Sequence, residues 1–273
     1  MGLAPAFGSR MSQTLQIGLD GTVARIALDR PAHNAFDDVL IAELTSALDK
    51  FARDASVRAL VLTGTGASFS AGADANWMRR MAQASEADNQ VDSERLARLM
   101  RALNFFPKPT IARINGAAIG GGVGLVACCD IAIAADTAKF ALSEVKLGLV
   151  PAVISSYVIA AIGLRQARRL FLSAELIDAQ EAQRIGLVHR TVEAGRLDAM
   201  VEHELALLAK GAPQAQVEAK RLAFAMAGMT RARASACDGD NAALIARLRV
   251  GEEGQAGLSA FLDKRAPFWI GGK

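Results

Sequence analysis

A chain of 273 residues, 52% of them hydrophobic, can bury a substantial core in one large domain or in a domain with an appendage. A net charge of +3 without basic blocks argues against a nucleic-acid groove, and no run approaches the roughly 18 uninterrupted apolar residues of a membrane span. Three cysteines, at 128, 129 and 237, cannot build a disulfide framework, so a reducing compartment such as the cytoplasm is expected.

The mean hydropathy of +0.23 is high for a soluble chain. Alanine dominates the apolar fraction, which points to close helix packing and subunit burial. The first ten residues hold one arginine and no long apolar core, so no signal peptide is expected, and Met11 is the expected natural start.

Residues 22–28 alternate as a strand does, and Asp29-Arg30-Pro31 ends it. Asn34-Ala35-Phe36-Asp37 opens a helix whose apolar positions Leu40, Leu44, Leu48 and Phe51 recur at helical spacing. Residues 57–63 read as a second strand, closed by Gly64-Thr65-Gly66. The small-residue stretch Phe69-Ser70-Ala71-Gly72-Ala73-Asp74 leads into a polar region with two helices, in which residues 85–91 are predicted to be mobile.

After Phe106-Pro107-Lys108-Pro109, residues 111–115 read as a buried strand and 123–129 as the start of an apolar helix. Residues 130–134 and 139–141 are further short strands. Leu142-Ser143-Glu144-Val145 and Gly148-Leu149-Val150-Pro151 then lead into an apolar helix from near Ile154. Residues 178–182 begin a short helix that stops at Gly186, and 187–192 read as the last strand. From Leu197 onward only helices are predicted, with Leu244, Leu248 and residues 255–264 strongly periodic. The pattern predicts an α/β core over 12–196 and a helical region over 197–273. A weak strand–strand–helix recurrence suggests stacked turns.

The junction Gly120-Gly121-Gly122 holds the most chemical information. Glycines between a strand and a helix allow a tight turn or the close approach of a ligand, and the first amides of a helix suit negative charge. A tight turn with no ligand is the alternative. A phosphate loop is excluded, because no Lys-Ser/Thr pair follows Gly122. A dinucleotide fingerprint counted from Gly120 meets Leu125 at its last position; counted from Gly122 it meets Ala127, but no suitable acidic residue follows. The histidines at 33, 189 and 203 have no metal-ligand spacing, so no metal is expected.

Taken together, Phe69-Ser70-Ala71-Gly72-Ala73-Asp74, Asn115-Gly116-Ala117-Ala118-Ile119-Gly120-Gly121-Gly122, Cys129-Asp130, Ser143-Glu144 and Gly148-Leu149-Val150-Pro151 resemble the enoyl-CoA hydratase/isomerase (crotonase) superfamily. The resemblance runs from about residue 14 to 269 in the family's order and spacing. It implies a spiral of repeated strand–strand–helix turns with a C-terminal helical trimerisation region, assembled as a homotrimer or as a hexamer of two trimers. It also implies an acyl-CoA thioester substrate, with coenzyme A as part of the substrate and no separate cofactor.

In this family a thioester carbonyl becomes an enolate, stabilised by two backbone N–H groups. The resemblance assigns these donors to Ala71 and Gly121, and a catalytic base and acid to Glu144. It makes Ala71, Gly72, Ala73 and Asp74 part of the CoA channel, and Phe261 and Lys264 contacts to CoA. Family hydratases usually hold water between two glutamates, and Gly124 stands where the first would be. With Gly124, the segments Cys128-Cys129-Asp130, Leu142-Ser143-Glu144-Val145 and Pro151-Ala152-Val153-Ile154-Ser155 look like bacterial methylglutaconyl-CoA hydratases. That subtype implies a branched substrate, with space for its methyl group at Gly124 and a distal carboxylate bonded by Ser155 or Ser156. A Δ3-Δ2 enoyl-CoA isomerase also fits a single glutamate. The alternative from another class is a non-catalytic CoA- or RNA-binding scaffold, which the lack of basic and aromatic runs disfavours.

Overall fold

The computed structural model describes residues 12–31 and 33–270. The expectations for the first ten residues and for a start at Met11 lie outside the described residues.

The chain winds through two sheets at once. Six strands form the larger sheet in the order β1 (Leu15–Asp20), β2 (Val23–Leu28), β3 (Ala59–Gly64), β5 (Thr110–Ile114), β7 (Ile131–Ala135) and β10 (Arg190–Val192). Only β1 and β2 pair antiparallel; the other neighbours are parallel. The smaller sheet has the order β4 (Ser68–Ser70), β6 (Ala117–Ile119), β8 (Lys139–Ala141) and β9 (Ile177–Asp178). Thus β3–β4, β5–β6 and β7–β8 each put one strand in each sheet before a helix carries the chain to the next turn. This is the expected spiral.

The helices of the turns are α1 (Asp38–Arg53), α2 (Ala75–Gln83), α3 (Glu86–Asn104), α4 (Gly121–Cys128), α5 (Ala152–Ser173) and α6 (Ala179–Arg184). Asp37 caps α1 by accepting from the Leu40 amide, and Leu40, Leu44, Leu48 and Phe51 are all buried, as the spacing predicts. Burial of each such side chain stabilises the fold by about 1.5–3 kcal/mol.

Several short elements were not legible. β1 buries only Leu15, so its sequence shows no alternation. β4, β6 and β9 are two or three residues long and exist through their neighbours' pairing. The expected strand over 187–192 is paired only at Arg190–Val192. Leu187 and Val188 instead donate their amides to the Ala182 carbonyl and bury their side chains in the core.

The segment expected to be mobile, 85–91, is an anchored helix start. Ser85 caps α3, and the fully buried Asn89 donates to the carbonyls of Met81, Ala84 and Ser85.

The tail comprises α7 (Leu197–Ala209), α8 (Pro213–Met226), α9 (Arg231–Val250) and α10 (Glu252–Leu262). Leu197, Val201 and Leu205 of α7 pack on Ala59, Val61, Ile111 and Ile133 of the larger sheet. α9 lies along α3, tied by the Arg101–Asp238 ion pair and by Arg249 donating to Asn89 Oδ1. α10 packs on α2 and on the 3-10 turn Glu144–Leu147. These contacts bring Ile245 and Arg249 of α9 and Leu258 and Phe261 of α10 to an apolar cavity that Ile119, at the end of β6, also lines.

Candidate active site

Two backbone segments face this cavity. One is the glycine turn, where Gly120 has φ 53° and donates its amide to the Ala141 carbonyl at the end of β8. α4 then begins at Gly121, whose amide, as the first of a helix, has no intrahelical acceptor. The Phe36 ring lies against Gly121: a Cβ added there would sit 3.1 Å from Phe36 Cε2.

The other segment runs from Ala71 to Asp74. The Ala71 amide donates to the His33 carbonyl at 3.0 Å, Phe36 donates to the Gly72 carbonyl at 2.6 Å, and Asp74 donates to the Phe36 carbonyl at 2.8 Å. Gly72, at φ 86°, reverses the alternation between Ala71 and Ala73. In the bridge between Phe36 and Ala73 the Gly72 carbonyl and the Asp74 amide serve the pairing, so the Ala73 amide points away from Phe36. The sequence reading named Ala71 as an oxyanion donor; its N–H is already committed to His33. Ala73 and Gly121 line the cavity, and neither amide donates a backbone hydrogen bond among the described residues.

Glu144 opens the 3-10 turn, which ends at Gly148 (φ 69°). A Cβ at Gly148 would meet the Glu253 carbonyl oxygen at 2.4 Å, and one at Gly257 the Leu147 backbone at 2.4 Å. The turn and α10 therefore touch backbone to backbone, which fixes where Glu144 stands. Its Oε2 is buried with no hydrogen-bond partner. A Cβ at Gly120 would lie 3.2 Å from its Oε1. Burial pushes the Glu144 carboxyl up from 4.5 to about 7, so near neutrality it can both take and return a proton.

The cavity measures about 290 Å³, and Glu144 is the sole carboxylate among the described residues that line it. Its walls are apolar, with Trp77, Met81, Leu96, Ile154, Ile245 and Leu258 prominent. Of the candidate site residues, Ala71, Gly72, Ala73, Gly121, Glu144 and Phe261 line it, with Phe261 half-exposed. Among the described residues no group of His, Cys, Asp or Glu side chains could hold a metal ion.

Four expected site residues do not line the cavity. Asp74 caps α2 through the amides of Asn76 and Trp77 and pairs with Arg30 at 3.0 Å, so its carboxylate is spent on structure. Gly124 leaves no space for a substrate branch: a Cβ there would meet Ile154 Cγ2 at 2.4 Å and Met100 Cε at 3.2 Å. It is a contact point between α4 and its neighbours. The Ser155 hydroxyl donates to the Ala152 carbonyl at 2.7 Å, and Ser156 is exposed. Lys264 follows α10 in a left-handed conformation with φ 54°.

The motif residue Asp130 is structural, accepting from the Thr110 amide and hydroxyl and from Lys220 Nζ. Cys128 and Cys129 are packing residues, and burial pushes the Cys129 thiol up to about 12. Sequence reasoning missed Phe36, Trp77 and Arg249. Arg249 follows the periodic Leu248 and lies one turn beyond Ile245, a spacing that puts both on one helix face.

The enoyl-CoA hydratase/isomerase family matches residues 18–272. A 2,3-dehydroadipyl-CoA hydratase of Escherichia coli is 33% identical over 91% of this chain and 95% of its own length. The crystal structure of an enoyl-CoA hydratase from Shewanella pealeana is 45% identical, with a TM-score of 0.78 over 95% of this chain and 97% of that one. Another, from Mycobacterium avium, is 33% identical with a TM-score of 0.82, over 95% and 100%. The strand–strand–helix spiral, the glycine turn beside a buried glutamate and a match over nearly the whole chain lead to one conclusion: this protein belongs to the enoyl-CoA hydratase/isomerase family.

Proposed function

We propose that the protein is an enoyl-CoA hydratase that adds water across the C2–C3 double bond of an enoyl thioester. The observation that carries this reading is the lone, buried Glu144 carboxylate beside the glycine turn, in a cavity also lined by the Ala73 and Gly121 amides. The thioester oxygen sits between those two amides and gains charge as water attacks C3. Each such donor is worth about 3–4 kcal/mol of barrier. Ionised Glu144 takes the proton from water and, once protonated, delivers one to C2. Its carboxyl, pushed up to about 7, suits both steps near neutral pH.

The substrate we propose is a branched, dicarboxylic enoyl-CoA of the 3-methylglutaconyl type. The motif pattern supports it, and so does the Escherichia coli relative, which is named for another dicarboxylic enoyl thioester. We also propose a trimer or a pair of trimers; Leu222 and Met226, exposed on α8, offer apolar surface for assembly.

A Δ3-Δ2 isomerase is the second reading, favoured by the single carboxylate, since one base suffices to move a proton between C2 and C4. Hydration of 3-methylglutaconyl-CoA and crotonyl-CoA by wild type and Glu144→Ala tests both. The expected result is hydroxyacyl-CoA formation that the substitution abolishes. Turnover that survives Glu144→Ala overturns the role of Glu144, and a shifted double bond without a hydroxyacyl product makes the protein an isomerase.

A further inference from the structure

Two basic side chains line the cavity. Lys146 is exposed and turns its ammonium to the Ala174 carbonyl at 2.9 Å. Arg249 is different. Its side chain is only 12% exposed, and its guanidinium stands 5.8 Å from the Trp77 ring centroid. Near it lie Met81 and Ile245, the latter one turn back on the same helix, and both line the same cavity.

A guanidinium has five N–H donors in a rigid fork. Nη1 of Arg249 donates to Asn89 Oδ1 at 2.7 Å, and the same nitrogen forms an ion pair with the buried Asp92 carboxylate. That ion pair, with Asp92 Oδ2 at 3.7 Å, and the Asn89 bond both fall on Nη1, and no hydrogen bond from Nε or Nη2 is found among the described residues. Burying a cation among apolar groups costs several kcal/mol unless its donors are satisfied. A strut between α3 and α9 would be made more cheaply by an apolar side chain. The protein instead presents a partly unused cationic fork to the space in which, on the function proposed above, the acyl chain lies.

We propose that Arg249 recognises a carboxylate at the far end of the acyl chain and thereby sets a preference for dicarboxylic over monocarboxylic acyl-CoA thioesters. A carboxylate fits the fork in two parallel charge-assisted hydrogen bonds, which an alkyl terminus cannot make. An alkyl terminus would also leave the remaining donors of the fork without a partner on the cavity side, so discrimination works in both directions. This assigns the distal acid to α9 and not to Ser155 or Ser156. Asp92 and Asn89 act through Arg249 as positioning residues, holding the guanidinium against Trp77.

The test is binding of unreactive saturated thioesters, so it does not depend on which reaction the enzyme performs. Titration calorimetry compares glutaryl-CoA with pentanoyl-CoA, and adipyl-CoA with hexanoyl-CoA, for wild type, Arg249→Met and Arg249→Lys. The expected wild-type preference is for the dicarboxylic member of a pair, with a loss of about 10- to 100-fold in that ratio for Arg249→Met and a smaller loss for Arg249→Lys. A common effect on CoA binding or on folding cancels in the ratio. A wild type that binds both members equally, or a preference that persists in Arg249→Met, overturns the proposal. Equal weakening of all four ligands overturns it too, because it makes Arg249 a structural tie or a CoA contact. Should Arg249→Met fail to fold, the wild-type ratio and Arg249→Lys still decide. Failure of wild type to bind any of the four would instead overturn the acyl-CoA reading on which this rests.

Discussion

Replacing Glu144 with glutamine should stabilise the protein, and chiefly at pH values where the buried carboxyl is ionised. The side chain keeps its shape but loses its charge, and Oε2 has no partner that an amide would lose. Burial raises the carboxyl from 4.5 to about 7. Between those values the folded chain holds a proton that the unfolded chain has released, so stability falls as pH rises through this window. Below it both states are protonated and nothing is lost. Above about pH 7 the whole penalty is present; at ~1.4 kcal/mol per pH unit it amounts to about 3 kcal/mol.

Glu144→Gln should therefore gain up to about 3 kcal/mol near pH 8 and little near pH 5. Urea unfolding of both proteins at the two pH values, at one protein concentration and with equal m-values, measures this directly. The same substitution should lower kcat by about 10²–10⁴-fold. For wild type, kcat/KM should rise with pH along a limb centred near 7, as the free enzyme's Glu144 ionises. A stability difference that is equal at both pH values, or a kinetic limb below about pH 5, would refute the claim that burial has tuned this carboxyl.

Three further outcomes follow from the backbone geometry. Gly121→Pro removes a candidate oxyanion donor at the first position of α4, where proline is well suited, and its Cβ requires the Phe36 ring to shift by a few tenths of an ångström; we expect kcat to fall about 10²–10³-fold while binding of CoA thioesters, measured by calorimetry, persists. Gly124→Ala should destabilise by about 1–3 kcal/mol in urea titrations through overpacking against Ile154, without changing the ratio of branched to linear substrate turnover; a change in that ratio would mean that position 124 faces substrate after all. Gly148→Ala forces a left-handed conformation and a clash with the Glu253 backbone, so thermal unfolding should shift downward and kcat should fall as Glu144 is displaced.

The sequence alone was enough for the features that rest on local periodicity and on unusual runs of small residues. Leu40, Leu44, Leu48 and Phe51 announced α1, because a helix repeats its buried face every three to four residues whatever surrounds it. The glycine turn was legible because a close backbone approach excludes side chains, leaving a mark in the composition, whereas Glu144 was legible only through the family resemblance of the motifs around it. What could not be read was which backbone groups are already paired. Ala71 and Ala73 are near-identical in sequence context, and a hydrogen bond to His33, some forty residues earlier, separates them. Gly124 likewise reads as open space until Ile154 fills it. Arg249 reads as one charge on a tail helix, and only the packing of α9 along α3 carries it into the cavity. The physical reason is common to all three. Local propensity is set by neighbours along the chain, whereas vacancy, burial and an unused donor are properties of the space between segments, and that space exists only once the chain has closed on itself.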